Sequence, residues 1–145
     1  MFTTSQWLIL CCRSYNQGVI LGALSELSRV TNDTSYTTIA KRIADAAIAK
    51  LVNSGGVLHE PCEPNCGADG SQFKGVFVRN LRILRQTSPQ NRYAEFLDRN
   101  ADSIWQADRN ERNELGLTWD GPFVGPANAS TQSSALDAIV AALST

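Results

Sequence analysis

The chain has 145 residues, of which 43% are hydrophobic, and a formal net charge of -1. That length suits one domain with a single sizeable core, and with that composition disorder is not the default reading. Basic residues are dispersed, which argues against nucleic acid or an anionic membrane as partner, and no apolar run approaches the roughly 20 residues that span a bilayer.

Residues 1–14 are atypical. Met1 to Cys12 ends in the apolar stretch Trp7-Leu8-Ile9-Leu10-Cys11-Cys12. It has no basic leading region, long apolar core or small-residue cleavage site, so no signal peptide is recognisable. We expect this segment to lie outside the domain, which then runs over 15–145. From there on the apolar spacing is helical. Val19, Ile20, Ala23, Leu24 and Leu27 share one face of a first helix over roughly 16–30. Tyr36, Ile39, Ala40, Ile43, Ala47 and Leu51 do the same for a second, and Phe73, Val76, Phe77, Leu81 and Leu84 for a third. Ser88-Pro89 reads as an N-cap followed by proline at the first helical position. It opens a fourth helix carrying Tyr93, Phe96, Leu97, Ala101, Ile104 and Trp105. A fifth carries Ala135, Leu136, Ile139, Val140 and Leu143. No segment sustains a period of two, so the expected fold class is all-α.

Short links, Thr31 to Ser35 and Gln86 to Ser88, join helices one to two and three to four. Short connections imply antiparallel neighbours. The starts of helices one, three and five then share one rim with the two long links, Asn53 to Asp69 and Asp108 to Asn128. Those starts read Tyr15-Asn16-Gln17-Gly18, Asp69-Gly70-Ser71-Gln72 and Asn128-Ala129-Ser130-Thr131-Gln132, each with a glutamine in the first turn beside small polar residues. The pattern suggests an internal repeat of helical hairpins of roughly 55 residues. Such hairpins must stack in a row or close into a ring to bury both faces.

The rim collects Asn16, Gln17, Glu60, Asp69, Gln72, Lys74, Trp119, Asp120, Thr131 and Gln132. A sugar needs this mixture, because its hydroxyls take amide and carboxylate partners and its C–H face takes an aromatic plate. The plainer alternative is that these side chains cap their helices. Glu60, Glu63, Asp69 and Asp120 are the loop carboxylates available for acid–base work. The run from His59 to Cys66 offers one His, two Cys and two Glu, but no second ligand pair occurs elsewhere. No metal or other cofactor is therefore expected, and a disulfide between Cys62 and Cys66 closing a tiny loop is the blander reading. His59 is the only histidine and there is no Gly-x-Ser-x-Gly elbow, which weighs against a nucleophilic triad. A phosphate-binding Gly-rich loop is absent as well. Two glycosylation sequons, at Asn32 and Asn128, join the loop cysteines in pointing to the secretory pathway.

Several stretches in order carry a family resemblance. They are Tyr15-Asn16-Gln17-Gly18-Val19-Ile20-Leu21-Gly22-Ala23-Leu24, the run Gly56 to Glu63, Asp69 to Arg79, Trp119-Asp120-Gly121-Pro122, and Ala129 to Ala138. Together they resemble glycoside hydrolase family 76, over essentially Tyr15 to Leu143. The resemblance implies an (α/α)6 toroid, of which this chain supplies about the second half. It also implies endo-acting, retaining hydrolysis of α-1,6-linked mannan, and a secreted or cell-surface setting in which cell-wall glycans are degraded or remodelled. The family's chemistry rests on two consecutive aspartates in the half preceding Tyr-Asn-Gln-Gly, and this chain contains no Asp-Asp pair. A truncated or mis-spliced gene would account for that. The catalytic residues are thus unknown here, and turnover by this chain alone is not expected. What carries over is the sugar-contacting side: Asn16, Gln17, Asp69, Gln72 and Lys74, with Glu60, Trp119, Thr131 and Gln132. Half a ring leaves two open apolar flanks, which favour self-association. Two other readings stand beside this one, a non-catalytic mannan-binding module and a helical-repeat scaffold that binds protein.

Overall fold

The computed structural model describes residues 13–143; the apolar segment ending in Cys11 and Cys12 lies outside the described residues. Six helices follow in order: α1 Ser14–Thr31, α2 Ser35–Lys50, the single turn α3 Gly67–Gly70, α4 Phe73–Thr87, α5 Asn91–Ala107 and α6 Ala129–Leu143. Among the described residues the only β-type pairings are two isolated antiparallel bridges, Val52 with Leu58 and Arg109 with Leu115. The chain is all-α.

Two boundaries differ from the sequence expectation. Ser88 does not open α5. It closes α4 instead, donating its N–H to the Leu84 carbonyl at 2.7 Å, and Gln90 in an extended conformation precedes the first residue of α5. The turn α3 was not expected; Gly67, at φ +67°, turns the chain into it. The α1–α2 turn follows local chemistry more closely. Asn32 takes the left-handed conformation after α1, and the Asp33 carboxylate accepts the Ser35 N–H at 2.8 Å at the start of α2.

Three long helices, α1, α4 and α6, lie side by side and parallel. A Cβ on Gly18 would come within 2.6 Å of the Phe77 Cα, and one on Gly75 within 2.7 Å of the Ser134 Cα. Further along, Gly22 faces Asn80 and Arg79 pairs with Asp137 at 3.2 Å, so each pair runs in one direction. The interval from residue 18 to 75 equals that from 77 to 134, so both helix–helix contacts are one contact repeated. The loops repeat at the same interval. The Asn53 side chain accepts the N–H groups of Gly55 and Val57 at 2.9 and 3.0 Å, as that of Asn110 accepts those of Arg112 and Glu114 at 3.0 and 2.9 Å.

A second layer holds α2, against α1 and α4, and α5, against α4 and α6. The core lies where α4 meets both layers, around Leu21, Ala44, Phe77, Leu81, Phe96 and Leu97. There the rings of Phe77 and Phe96 meet edge-on with centroids 6.3 Å apart.

The buried face of α1 is not the one its apolar spacing marks. Gly18, Leu21, Gly22, Ser25 and Ser28 face inward, while Val19, Ile20 and Leu27 are 56%, 46% and 45% exposed. The close approach of two backbones admits only small side chains between them, so the small-residue stripe wins the interface. On α6 the same inversion holds: Thr131, Ser134, Ala135, Ala138 and Ala141 are buried, and Leu136, Val140 and Leu143 are exposed. Two apolar flanks therefore remain open to solvent.

Because backbone rather than a flexible side chain stands in the way, Gly75→Ala should destabilise the fold by about 2–3 kcal/mol. The exposed Leu143→Ala should cost no more than about 0.5 kcal/mol. Denaturant midpoints compare them, and equal midpoints would refute the close-approach account.

Candidate functional site

The rim where α1, α4 and α6 begin is covered by the two long loops, and one lysine holds both. Lys74 occupies the first turn of α4, and its side chain is 1% exposed. Its Nζ lies 2.6 Å from Glu63 Oε1 in the first loop and donates to the Leu117 carbonyl in the second at 2.7 Å. It also sits 4.6 Å from the centroid of the Trp119 ring, a cation–π contact. Burial pulls the Lys74 pKa below its ordinary value, and the Glu63 charge supports the ammonium against that pull. Glu63 is fixed in turn. Its Oε1 accepts the Glu60 N–H at 2.8 Å, and the Cys62–Cys66 disulfide closes the surrounding loop.

Two further carboxylates lie inside. Glu60 Oε1 accepts the Ser14 N–H at 2.9 Å, placing a negative charge at the start of α1, where free N–H groups and the helix dipole favour it. Burial pushes the Glu60 pKa up, opposed by the hydrogen bonds from Ser14. Asp108, immediately after α5, is buried against Gly116, and neither of its carboxylate oxygens has a well-formed hydrogen bond. Burial pushes its pKa up to about 7; the Lys74 charge and the Gly116 N–H pull it down, and the Glu63 and Asp120 charges add to the rise.

The expected contact residues share the rim but do different things there. Asn16, Asp69 and Gln72 are exposed. Gln17 is half-buried and lines a shallow depression with Ala46, Ala47, Lys50 and Leu51 of the α1–α2 side. Glu60, Lys74 and Trp119 are fully buried, and the Trp119 ring carries the Lys74 ammonium. Gln132 Oε1 accepts the Leu115 N–H at 2.9 Å, fastening the second loop to α6. Thr131 Oγ1 donates to the Asn128 carbonyl at 3.0 Å while the Asn128 side chain accepts the N–H groups of Ser130 and Thr131. Asn32 and Asn128, the sequon asparagines, are both exposed.

Between the loops runs an open groove of about 320 Å³, lined among others by Pro64, Ser71, Thr118, Pro126 and Thr131. The Thr118 hydroxyl is buried without a hydrogen-bond partner. The lining carries no charge and mixes polar groups with apolar side chains such as Leu117 and Val124, which suits a neutral ligand with both polar and apolar faces. Asp108 and Thr118 were not singled out from the sequence. A register signal existed for Asp108: aligning Asn110 on Asn53 sets Asp108 against the buried Leu51 of the preceding repeat.

Asp108 gives a pH test. Its folded pKa lies above the ordinary aspartate value of 3.8, at about 7, so the folded chain keeps a proton that the unfolded chain releases. The resulting stability is complete below about pH 4 and lost as the pH rises through about 7. Asp108→Asn, which mimics the protonated acid, should gain on the parent by on the order of 2 kcal/mol between those limits. Paired thermal melts at pH 4 and pH 8 measure the gain, and a constant difference would refute it.

A family model, glycosyl hydrolase family 76, matches residues 11–145. No curated protein sequence matches the chain. Among solved structures, the Lin0763 protein from Listeria innocua superposes with a TM-score of 0.80 at 26% identity, over 90% of this chain and 36% of that one. The α-1,6-mannanase from Salegentibacter sp. HEL1_6 gives a TM-score of 0.80 at 26% identity, over 90% of this chain and 39% of its own. An inactive variant of that mannanase in complex with α-1,6-mannotetrose gives 0.79 at 27% identity, over 89% and 39%. The chain thus spans 36% to 39% of the length of these relatives, and its two helical layers form part of their α/α toroid. With a family match over nearly all its residues and the same helical packing, the chain belongs to glycosyl hydrolase family 76.

Proposed function

We propose that this chain forms part of the glycan-binding wall of an enzyme acting on α-1,6-linked mannan, and that alone it binds such glycans without cleaving them. The observation carrying the reading is the rim itself. Three parallel helix starts and two long loops, locked by one buried lysine, frame an uncharged groove of mixed polar and apolar lining. One relative similar to this chain is an α-1,6-mannanase, of which an inactive variant is in complex with α-1,6-mannotriose. The absence of any Asp-Asp pair from the sequence favours binding over turnover. The disulfide and the exposed sequon asparagines support a secreted or cell-surface setting, since such bonds persist in oxidising compartments.

Calorimetric titration with α-1,6-mannotriose should give saturable binding in the millimolar range or tighter, weakened several-fold by Asp69→Ala or Gln72→Ala, whose side chains are exposed on the rim. A reducing-end assay on unbranched α-1,6-mannan should show no product. Lack of binding at millimolar ligand would remove the reading, and steady product release would remove its non-catalytic half.

The open flanks carry a second part of the proposal. Val19, Ile20 and Leu27 on one side, and Leu136 and Leu143 on the other, are apolar side chains between 44% and 76% exposed. Exposed apolar surface of this kind drives association. Light scattering across a concentration series should show a mass above one chain at high concentration, and a strict monomer throughout would count against it.

A further inference from the structure

We propose that His59, Glu63 and Asp120 form a binding site for one divalent transition-metal cation of the zinc or manganese class. From the sequence alone no metal is expected, because the ligand-rich run from His59 to Cys66 has no second group of ligands elsewhere. The fold changes both halves of that argument. The disulfide removes Cys62 and Cys66 from the donor set, and the second loop delivers Asp120 to the first.

Ligand atoms of the three side chains lie within 4.8 Å of one another. His59 Nδ1 and Glu63 Oε2 are 3.3 Å apart, close to the separation of about 3.4 Å expected of two ligands each about 2.1 Å from a tetrahedral ion. The Glu63 side chain is 1% exposed. Its Oε1 is occupied by Lys74 and by the Glu60 N–H, whereas its Oε2 is buried with no hydrogen-bond partner. A buried carboxylate oxygen left in that state is costly, and this one points at the imidazole nitrogen and the space beside it.

The surroundings fit a coordinated ion. Asn53 Nδ2 donates to Asp120 Oδ2 at 2.7 Å, the kind of outer hydrogen bond that orients a ligating carboxylate. Asn53 is itself fixed by the N–H groups of Gly55 and Val57. The backbone N–H of His59 donates to the Leu51 carbonyl at 2.7 Å, while the side chain remains 42% exposed, leaving an entry path and room for water ligands. Lys74 Nζ is taken up by Glu63 Oε1, which leaves Glu63 Oε2 and Asp120 beside the imidazole. One nitrogen and two carboxylate donors favour zinc or manganese over calcium or magnesium. The competing occupant is a proton on His59, which would make the imidazole a donor to Glu63 Oε2.

The site stands on its own, independent of glycan binding. Untagged chain titrated with zinc chloride, manganese chloride and calcium chloride should bind one zinc or one manganese ion, and calcium at least about tenfold more weakly. Asp120→Asn and His59→Gln, both at accessible side chains, should each weaken zinc binding by about tenfold or more without changing the melting temperature in chelator. Pulsed electron paramagnetic resonance of the manganese-loaded parent should show coupling to an imidazole nitrogen, a readout that needs no variant. No binding of either ion at 1 mM, binding that either substitution leaves unchanged, or a manganese spectrum without nitrogen coupling would overturn the site and leave the proton as occupant.

Discussion

One buried ammonium organises the functional end of this protein. Lys74 is carried by α4, the middle member of the three parallel helices, and it reaches into both long loops at once through Glu63 and Leu117. A charge held at 1% exposure is unfavourable unless its donors are filled. Glu63, the Leu117 carbonyl and the Trp119 ring meet that demand together. The loops are therefore not free to wander independently. Removing any one partner leaves a charge or a carbonyl exposed to a dry interior, and the same constraint that holds the rim in shape holds the groove open between the loops.

Beneath that end, the scaffold rests on an equally local restriction. Two helix pairs approach closely enough that Gly18 and Gly75 have no space for a methyl group. The same contact recurs one repeat later, and so does the asparagine-closed turn at Asn53 and Asn110. Repetition of both a helix contact and a loop turn makes the hairpin, not the single helix, the structural unit. It also explains why large apolar residues on α1 and α6 stay outside. Leu21 apart, the buried faces of those helices carry small side chains, while Val19, Ile20, Leu27, Leu136 and Leu143 are exposed.

The cluster of acids shows how position divides chemically similar groups. Glu60 caps α1, Glu63 neutralises Lys74, Asp108 is buried without good donors, and Asp120 is exposed and held by Asn53. Four carboxylates within one end thus have four different electrostatic roles, set by burial and by which donors each can reach.

Much of the fold was legible in the chain. Helical periodicity, short links and the matching helix starts were enough for an all-α repeat with three starts on one rim, because those features depend on neighbours in sequence. The motif order was enough for the family. Ser88-Pro89 misled by two residues, since the preceding helix claimed Ser88 as its end. The buried face of α1 was not legible, because hydrophobic spacing records which residues are apolar and not how near another backbone will come. Nor were the jobs of Glu60, Gln132 and Asp108, whose partners Ser14, Leu115 and Gly116 acquire meaning only when distant loops are folded together. Local sequence decides where helices start and stop; only tertiary packing decides which buried charge meets which donor, since that depends on distances across the chain that no local pattern encodes.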